Sequence, residues 1–397
     1  MKRLLAFLLA LTLGILCGCS QGPEPTAPSS AATTAPSQPT TQPTTAPTTP
    51  PTSTPTVPAP TETEPAPTDT EPVPTETEPA PTETEPVVLY RNPLTGEALA
   101  EYSENRPYAV IFNNIQAAMP QYGVSKADIL IETLAEGGIT RCMGIYHDIS
   151  DVKTFGSIRS ARLYFVQLAQ GFDALLVHAG ASEEADNYLY KTGWNHLDGV
   201  SGTNASDYFY RDKDRLNAGY SMEHTLFIKP DRIRAYAKKL GYPTTRKDGV
   251  DYGWQFGSSS AASGTDADQI KVYFGSNSGS KSTSFSYDAA TGLYKASQYG
   301  AAYTDAADGS QAAFRNVLVL KTSITNQGDA AGHLTIKTVG SGTGFYACGG
   351  KRISIKWSRI SSTSPFVFTT EDGEPLILGE GSSYIAIVPS KGLVVYS

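Results

Sequence analysis

After residue 19 the chain contains no long apolar run, so we expect no membrane-spanning helix further along it. Such a helix needs about 20 predominantly apolar residues in a row, and no later stretch of the 397-residue sequence approaches that length. Cysteine and histidine are scarce, with four and five residues, and neither CxxC nor HExxH occurs. We therefore expect no metal, no cofactor and no disulfide framework, although a single bridge between Cys142 and Cys348 stays open.

The sequence also lacks an excess of basic residues. It contains 31 Lys and Arg against 39 Asp and Glu, for a net charge of −8. Residues 20–87 hold nine of the acidic residues and no basic ones, and residues 1–19 hold two basic ones, so about −1 remains for residues 88–397. Nucleic-acid-binding proteins carry a basic patch or stripe. We therefore expect no nucleic-acid partner.

The first 19 residues have the pattern of a secretory signal peptide. Lys2 and Arg3 form a basic start, and LLAFLLALTLGIL forms the apolar core. The closing LCGC resembles a bacterial lipobox, which implies that Cys19 is diacylated and becomes the mature N-terminus. Two acyl chains hold a protein stably in a lipid bilayer, so we expect a lipid anchor on the extracytoplasmic face of the cell membrane. Cys17 departs from the residues usual at its position, and ordinary secretion is the alternative.

Residues 20–87 have the composition of a disordered stalk. They consist almost entirely of Pro, Thr, Ser, Ala and Glu, and the unit TETEPxP recurs. Such a segment has too little apolar surface to offset its conformational entropy, and its prolines favour an extended conformation. We interpret it either as a spacer that carries a folded part through a cell-wall layer or as a neutral linker. Its Thr-Pro density permits O-glycosylation, which the sequence leaves open.

Residues 88–255 predict a mixed α/β domain that begins with strands. RPYAVIFNNI indicates a buried strand at 108–113. ILIETLAEGGITRCMGIYHDI alternates with a period of two and breaks at EGG, which favours a hairpin. A helix at 128–135 is the alternative.

Helices are expected to follow that hairpin. Ser157 or Ser160 is the expected cap of a helix that ends at Gly171. After the strand ALLVHAG, Ser182 begins a second helix with acidic residues in its first turn, as the helix dipole favours. TLFIKPDRIRAYAKKLGYP indicates a further strand and a helix at 230–240.

Residues 269–397 predict a mainly antiparallel β domain. Segments such as IKVYFGS, NVLVLKTSI and SSYIAIVP alternate with Gly, Asp and Asn turns. Residues 256–268, within FGSSSAASGTDADQ, have the composition of a flexible linker. The predicted fold class is therefore α+β, with a mixed α/β N-terminal domain followed by a β-rich C-terminal domain.

FGSIRSARLYF, residues 155–165, places two arginines three positions apart at the expected start of a helix. A helix N-terminus attracts anions through its free N–H groups and its dipole, and guanidinium groups grip phosphate or carboxylate bidentately. Arg159, Arg162, Ser157 and Ser160 therefore form a candidate anion-binding site. Alternatively, the arginines pair with carboxylates inside the fold and need no ligand.

Glu132 and Glu136 are the obvious paired carboxylates, which glycosidase chemistry requires across a sugar. On one side of a strand they lie roughly 13 Å apart, from a rise of about 3.3 Å per residue. This separation is too large for joint action, whereas on a helix the two would be neighbours. The hairpin prediction therefore argues against a hydrolase.

Two histidines lie where loops meet regular elements. His178 ends an apolar strand shortly before Ser182, and His224 lies in SMEHTLF, but no GxSxG motif accompanies them. We assign no catalytic residue. The candidate ligand-binding or structural polar network consists of Glu132, Glu136, Arg141, His178, Ser182 and His224.

An ordered series of motifs resembles the YerB-like lipoprotein family, which has no settled activity. The first domain contains NPLTG, RPYAVIFNN, GVSKADILIETLAEGGITR, GSIRSARLYF and DALLVHAG, and the second contains YFGS, YDAATGLY, NVLVL, GSGTGFYACGGKRISIKW and SYIAIVP. The resemblance covers about residues 90–397 and implies a two-module, membrane-anchored bacterial envelope protein of α+β architecture. Family positions that match here are Glu136, Gly137, Gly138, Thr140, Arg141, Arg159, Ser160, Arg162 and His178. Glu223 and Thr225, beside His224, depart from the Pro and Asn that the family implies.

Three functional hypotheses follow. The first is a non-catalytic envelope lipoprotein that binds or regulates a cell-wall glycan, an anionic wall precursor or an envelope protein. The second is an enzyme resembling envelope glycan phosphotransferases, in which Arg159 and Arg162 hold a diphosphate. The third is a small-molecule receptor with a site between the two domains. The lack of a complete catalytic set favours the first. The ligand, the partner and the oligomeric state stay open.

Overall fold

Runs of β-branched and aromatic residues, separated by Gly, Asp and Asn turns, make strands the main element of the chain. The computed structural model describes residues 90–397, which belong to one compact unit. The predicted signal peptide, Cys19 and the predicted stalk lie outside the described residues. Within residues 90–397 no helix is long and apolar enough to cross a bilayer.

Eleven strands from both predicted domains form one mixed sheet. In chain order they are β1 (Tyr108–Asn113), β2 (Ile129–Leu134), β3 (Thr140–Tyr146), β4 (Leu175–His178), β5 (His196–Asp198), β6 (Thr265–Asp266), β7 (Asn316–Thr322), β8 (Gly340–Cys348), β9 (Lys351–Arg359), β10 (Val367–Thr370) and β11 (Ser383–Pro389). Across the sheet they follow the order β6-β9-β8-β7-β11-β2-β3-β1-β4-β5, and β10 pairs with β9. N-terminal strands therefore form one half of the sheet and C-terminal strands the other.

The two halves of the sheet meet between β2 and β11. These strands are parallel, in a register that pairs Ile129 with Ser383 and Thr133 with Ile387. Both strands are buried along almost their whole length. A buried strand edge must pair its backbone groups, and here each half of the sheet satisfies the edge of the other. The regions predicted at 88–255 and 269–397 therefore share one sheet.

Smaller sheets pack around this one. An antiparallel six-stranded sheet has the order Ala301–Ala302, Leu293–Gln298, Ser282–Asp288, Gln269–Tyr273 and Val394–Tyr396, with Ala313–Phe314 paired to Leu293–Gln298. A three-stranded sheet consists of Phe155–Gly156, Leu226–Ile228 and Phe209–Arg211. Two-stranded pairs join Tyr90–Arg91 to Ala98–Leu99, Gln255–Phe256 to Ile377–Leu378, and Ile324–Asn326 to Leu334–Ile336.

The predicted hairpin is confirmed. β2 and β3 are antiparallel and a short 3-10 turn, Glu136–Gly138, joins them. Gly137 in this turn has φ +68°, a left-handed conformation that favours glycine. The alternative helix at 128–135 is wrong, because successive residues of β2 point to opposite faces of the sheet, where both faces bury apolar side chains.

Four α-helices lie in the N-terminal part of the described chain. They are α1 (Leu163–Gly171), α2 (Glu183–Thr192), α3 (Lys213–Asn217) and α4 (Pro230–Lys239). The prediction for α2 is confirmed, because Ser182 Oγ accepts a hydrogen bond from Ala185 N at 3.3 Å. The predicted cap of α1 is wrong. This helix begins at Leu163 with Arg162 at its N-cap position, so neither Ser157 nor Ser160 caps it.

Residues 256–268 are folded, in contrast to the flexible linker expected from their composition. The strand Gln255–Phe256 pairs with Ile377–Leu378, and β6 pairs with β9. Between these strands Ala261 lies fully buried in the core, in the short helix Ser260–Ser263. Small side chains gave this segment a linker-like composition, but they also allow it to pack closely against the sheet.

The central sheet separates two apolar layers. Val110, Leu130 and Cys142 belong to one layer, whereas their neighbours Ile111 and Ile129 belong to the other. α4 contributes to the first layer and α1 and α2 to the second. Cys348 lies in the second layer, opposite to Cys142, and both cysteines are free and buried. The two thiols therefore do not form the bridge that the sequence left open.

Candidate functional site

The chain that carries the two arginines is extended, although the sequence predicted a helix for it. Arg159 N donates to Ile111 O at 2.9 Å, and Arg159 O accepts from Ala179 N at 3.1 Å. Ala161 N in turn donates to Gly180 O at 2.9 Å. Residues 157–162 therefore lie like an irregular strand between the ends of β1 and β4. This position brings the arginine side chains to the carboxyl ends of two strands, before α1 begins.

Arg162 is held by a carboxylate of the β2–β3 turn. Its Nε and Nη2 donate to the two carboxylate oxygens of Glu136, the latter at 3.0 Å. Arg141 Nη2 donates to the same carboxylate at 3.3 Å and its Nη1 donates to Ser160 O at 2.9 Å. Burial raises the pKa of Glu136, but the bonds from Arg162 and the charge of Arg141 outweigh it, so the pKa lies below its ordinary value. Glu136 is therefore a carboxylate that binds two arginines.

Arg159 has a different environment. Its Nη2 donates to Glu223 Oε2 at 2.6 Å, and the two side chains are 26% and 47% exposed. Glu223 Oε1 lies 3.7 Å from Nε2 of His224, whose Nδ1 accepts from Asn113 Nδ2 at 2.9 Å. Burial and the charge of Arg159 lower the pKa of His224, against the effect of Glu223. A neutral His224 therefore separates this exposed ion pair from the end of β1.

We define the arginine cluster as Arg141, Arg159, Arg162, Glu136 and Glu223. It contains three cations and two carboxylates, so one positive charge is left over. Burial and the neighbouring charge of Arg162 lower the pKa of Arg141 to about 10, and its buried Nε has no hydrogen-bond partner within residues 90–397. Surplus positive charge beside partly exposed guanidinium groups suits an anion.

Glu132 belongs to a separate, fully enclosed network. Lys281 forms an ion pair with it, and both side chains are buried. Four hydroxyl or amide groups also donate to its carboxylate: those of Asn114 at 2.9 Å, Thr140 at 2.6 Å, Thr283 at 2.7 Å, and Tyr384. Buried charges persist when they are paired and hydrogen-bonded. Glu132 therefore fastens the two halves of the structure together and does not form a catalytic pair with Glu136.

His178 is buried in a chain of hydrogen bonds at the end of β4. Its Nδ1 lies 2.8 Å from Gly180 O and its Nε2 lies 2.8 Å from His196 Nδ1. A carbonyl only accepts, so Nδ1 of His178 is the donor and its Nε2 accepts from His196. Asp198 accepts from Gly180 N at 2.6 Å in the same loop. The arrangement positions the loop before α2 and leaves Nε2 of His196 as an acceptor.

The predicted serines have mainly structural positions. Ser182 caps α2, and Ser160 supplies a backbone carbonyl to Arg141. Ser157 is buried, and its hydroxyl has no partner among the residues that the structure describes. The structure therefore brings Arg141, Arg159 and Arg162 together, and the backbone N of Ser182 donates at 3.1 Å to the Ala161 carbonyl that also accepts from Arg162.

Several polar residues of these networks were missed from the sequence. They are Asn113, Asn114, His196, Asp198, Glu223, Lys281 and Thr283. Asn113 ends a predicted strand and Asn114 follows it. Strand ends mark ligand sites in α/β sheets, so the sequence contained a signal for these two residues. Lys281 lies 149 residues from Glu132 and had no local signal.

A groove borders the β2–β3 turn. Leu134, Ala135, Gly137 and Gly138, which flank Glu136 in the sequence, form one side of it. The other side consists of residues 324–334 and Pro389, with Ile324, Ala330, Ala331 and Leu334 among them. Its volume is about 580 Å³. Within residues 90–397 no group of three or more His, Cys, Asp or Glu side chains is placed to hold a metal ion.

These features define a β-rich α+β protein with one shared sheet, a sealed Glu–Lys pair and a partly exposed arginine cluster. Two family models match the chain: the N-terminal domain of a protein of unknown function, DUF3048, at residues 94–243, and the C-terminal domain of the same family at residues 270–385. The chain belongs to this DUF3048 family, in agreement with the YerB-like resemblance.

Two similarities to YerB of Bacillus subtilis support the assignment. The YerB protein of strain 168, whose name describes a lipoprotein, is 31% identical over 299 residues, which cover 75% of this chain and 86% of YerB. The crystal structure of YerB from Bacillus subtilis superposes with a TM-score of 0.67 at 29% identity, covering 77% of this chain and 99% of that one. The chain therefore shares its fold with YerB, a relative whose name describes a lipoprotein.

Proposed function

We propose that this protein is a membrane-anchored lipoprotein of the cell envelope with a non-catalytic role, and that its arginine cluster binds an anionic group of a wall component. The observation that carries the proposal is the partly exposed side chain of Arg159, in a cluster with one surplus positive charge. Similarity to a lipoprotein and the sequence of residues 1–19 support the anchor.

The arginines differ in how much of each guanidinium is available to a ligand. Arg162 uses Nε, Nη1 and Nη2 in bonds to Glu136 and Ala161. Arg159 bonds only through Nη2, to a glutamate that is itself 47% exposed, as far as residues 90–397 show. An incoming phosphate or carboxylate therefore competes with Glu223 for Arg159 at small cost, whereas displacing Glu136 from Arg162 would strand a buried charge.

The test is the thermal shift that pyrophosphate produces in the full-length chain. We expect pyrophosphate to raise the melting temperature of wild type but not that of Arg159→Gln. Without pyrophosphate the two proteins should melt at the same temperature. Arg232→Gln, an exposed arginine on α4, is the matched control and should keep the shift. Absence of any shift in wild type, or an equal loss in the control, contradicts the anion site.

A second candidate function is an enzyme that acts on a lipid-linked diphosphate. The specific observation in its favour is the groove of about 580 Å³ at the β2–β3 turn, whose lining residues flank Glu136 in the sequence. Vesicles that contain a polyprenyl diphosphate should then bind wild type more tightly than vesicles with a polyprenyl monophosphate. Leu134→Asn should weaken that binding and leave the effect of free pyrophosphate intact. Turnover of a lipid-linked wall substrate that is lost in Arg159→Gln would establish the enzyme and end the non-catalytic proposal.

The receptor hypothesis has less support. A cleft between the two domains that His178 and His224 line would have favoured it. His178 instead contacts Gly180 and His196, and His224 contacts Asn113. All of these partners belong to the N-terminal region, so neither histidine reaches toward the C-terminal one.

A further inference from the structure

A second cleft lies at the opposite end of β1 from the arginine cluster. Its floor contains Tyr108, the first residue of β1, and His147, directly after β3. Asn113, whose side chain contacts His224 beside the arginine cluster, ends β1 five residues further on, about 17 Å away at a strand rise of about 3.3 Å per residue. The two sites are therefore independent of each other.

Polar side chains with unused hydrogen-bonding groups surround this cleft. Arg234 Nη2 donates to Asp148 Oδ1 at 3.2 Å and to Ser150 Oγ at 2.9 Å. Neither the Nη1 nor the Nε of Arg234 takes part in these two bonds, and the side chains of Arg234 and Asp148 are 42% and 56% exposed. The pair thus presents donors and an acceptor in a fixed orientation, held by the loop after β3.

His147 provides the second observation. It is 3% exposed and lines the cleft, and neither ring nitrogen has a hydrogen-bond partner within residues 90–397. A buried polar group without a partner costs about 1–3 kcal/mol. Burial and the charge of Arg246 lower the pKa of His147, so the ring is neutral at neutral pH and offers one donor and one acceptor. A hydroxyl group, which donates and accepts, matches that pattern.

Aromatic rings and a cation complete the lining. Tyr108 and Tyr242 line the cleft, and Lys238 lies exposed in the last turn of α4. With Arg234 and Asp148, Lys238 leaves a surplus positive charge at the rim. The cleft volume of about 830 Å³ lies within the roughly 300–1,000 Å³ of small-molecule sites.

We propose that this cleft binds a saccharide that carries a carboxylate. Hydroxyl groups of the sugar pair with Asp148, Ser150 and His147, the apolar face of the ring packs on Tyr108 or Tyr242, and the carboxylate lies against Arg234 and Lys238. A simple inorganic anion would use only the cations and leave the other groups unpaired. This site goes beyond the arginine cluster and does not depend on it.

The test is calorimetric titration of the full-length chain with two disaccharides, GlcNAc–MurNAc, which carries a carboxylate, and chitobiose, which is neutral. We expect GlcNAc–MurNAc to bind more tightly than chitobiose, and Arg234→Gln to weaken its binding at least about tenfold, the value of one charge-assisted hydrogen bond. Tyr108→Phe, which retains the ring, should weaken binding less.

Two controls separate this site from the other. Arg232 lies on the same helix as Arg234 but outside the cleft, so Arg232→Gln should bind GlcNAc–MurNAc like wild type. Arg159→Gln should lose the pyrophosphate effect and retain the saccharide. The proposal is overturned if wild type binds neither disaccharide, if both bind equally, or if Arg234→Gln binds GlcNAc–MurNAc like wild type.

Discussion

Lys281 pairs with Glu132 across 149 residues of chain, and both side chains are almost completely excluded from solvent. Glu132 lies on β2 of the N-terminal region, and Lys281 directly precedes a strand of the six-stranded sheet. Tyr384 of β11 donates to the same carboxylate. One buried charge therefore joins three segments that are far apart in sequence, at the place where the two halves of the structure meet.

The first prediction concerns this pair. Lys281→Met should lower the free energy of unfolding by about 3–5 kcal/mol, because it leaves a buried carboxylate without its counterion. Glu132→Gln/Lys281→Met should recover much of that loss. Urea unfolding of the full-length chain measures both. Lys126→Met, which removes an exposed partner of Asp308 at 3.1 Å, should change stability by less than about 1 kcal/mol. If the single and double variants lose equal amounts of stability, the ion pair with Glu132 is not the source of the stabilisation by Lys281.

The second prediction separates the two arginines. Arg162→Gln should lower the free energy of unfolding by roughly 2–3 kcal/mol, because Glu136 loses charge-assisted bonds to both oxygens. Arg159→Gln should lower it by less than about 1 kcal/mol, because its partner Glu223 is largely solvated. Chemical denaturation of both variants provides the comparison. If Arg159→Gln costs as much as Arg162→Gln, Arg159 is a structural residue and the anion-site proposal loses its basis.

The third prediction concerns pH. Burial and the neighbouring His178 lower the pKa of His196 from 6.5 to about 4, and burial also lowers the pKa of His178. The unfolded chain then binds protons first as pH falls, so the stability from this pair is complete above about pH 6.5 and is lost toward about pH 4. Between pH 7.5 and 5.0 we expect a loss of about 2 kcal/mol from His196, at about 1.4 kcal/mol per unit.

The measurement for this pH effect is the difference between wild type and His196→Gln, by urea unfolding at the two pH values. The difference is needed because burial raises the pKa of Asp128 to about 6, which acts in the opposite direction. His196→Gln keeps a side-chain donor for His178 and should lose less stability on acidification than wild type. A His196→Gln variant with the wild-type pH dependence would contradict the prediction.

The fourth prediction concerns the buried thiols. Cys142 and Cys348 lie on opposite faces of the central sheet, and burial raises the pKa of Cys142 well above its ordinary value. Both should resist a thiol reagent in the native protein and react in urea. The double variant Cys142→Ala/Cys348→Ala is the control, because any reagent that it takes up has reacted with Cys17 or Cys19. Rapid labelling of the native protein that disappears in the double variant would show that Cys142 or Cys348 is exposed in the folded state.

Local signals in the sequence accounted for several elements. Alternation and the EGG break were sufficient for the β2–β3 hairpin, because a period of two and a turn are properties of neighbouring residues. Ser182 followed by three acidic residues identified the start of α2 for the same reason. The start of α1 was misplaced, because the backbone groups of residues 157–162 pair with β1, with the loop after β4 and with Leu226, and those partners lie up to 68 residues away.

The candidate site was partly predictable. From the sequence, Arg159 and Arg162 were expected to bind either internal carboxylates or a ligand. In the structure Arg162 is bound to Glu136, whereas Arg159 is partly exposed and pairs with the exposed Glu223. Asp173, a further carboxylate close in sequence to these arginines, pairs with Arg106 and Lys247. Which carboxylate approaches which arginine depends on the packing of β2, β3 and residues 221–224, and no local pattern contains that information.

By itself the sequence determined the β-rich composition, the hairpin, the second and fourth helices, and the family, because all of these depend on residue types at short spacing or on ordered motifs. Only the tertiary structure decided that the two predicted domains share one sheet, that residues 256–268 are folded, and that Glu132 is sealed against Lys281. Those outcomes depend on the pairing of strand edges and the burial of charge between segments more than a hundred residues apart. Such pairings are selected by the free energy of the whole fold, in which each buried edge and each buried charge must find a partner.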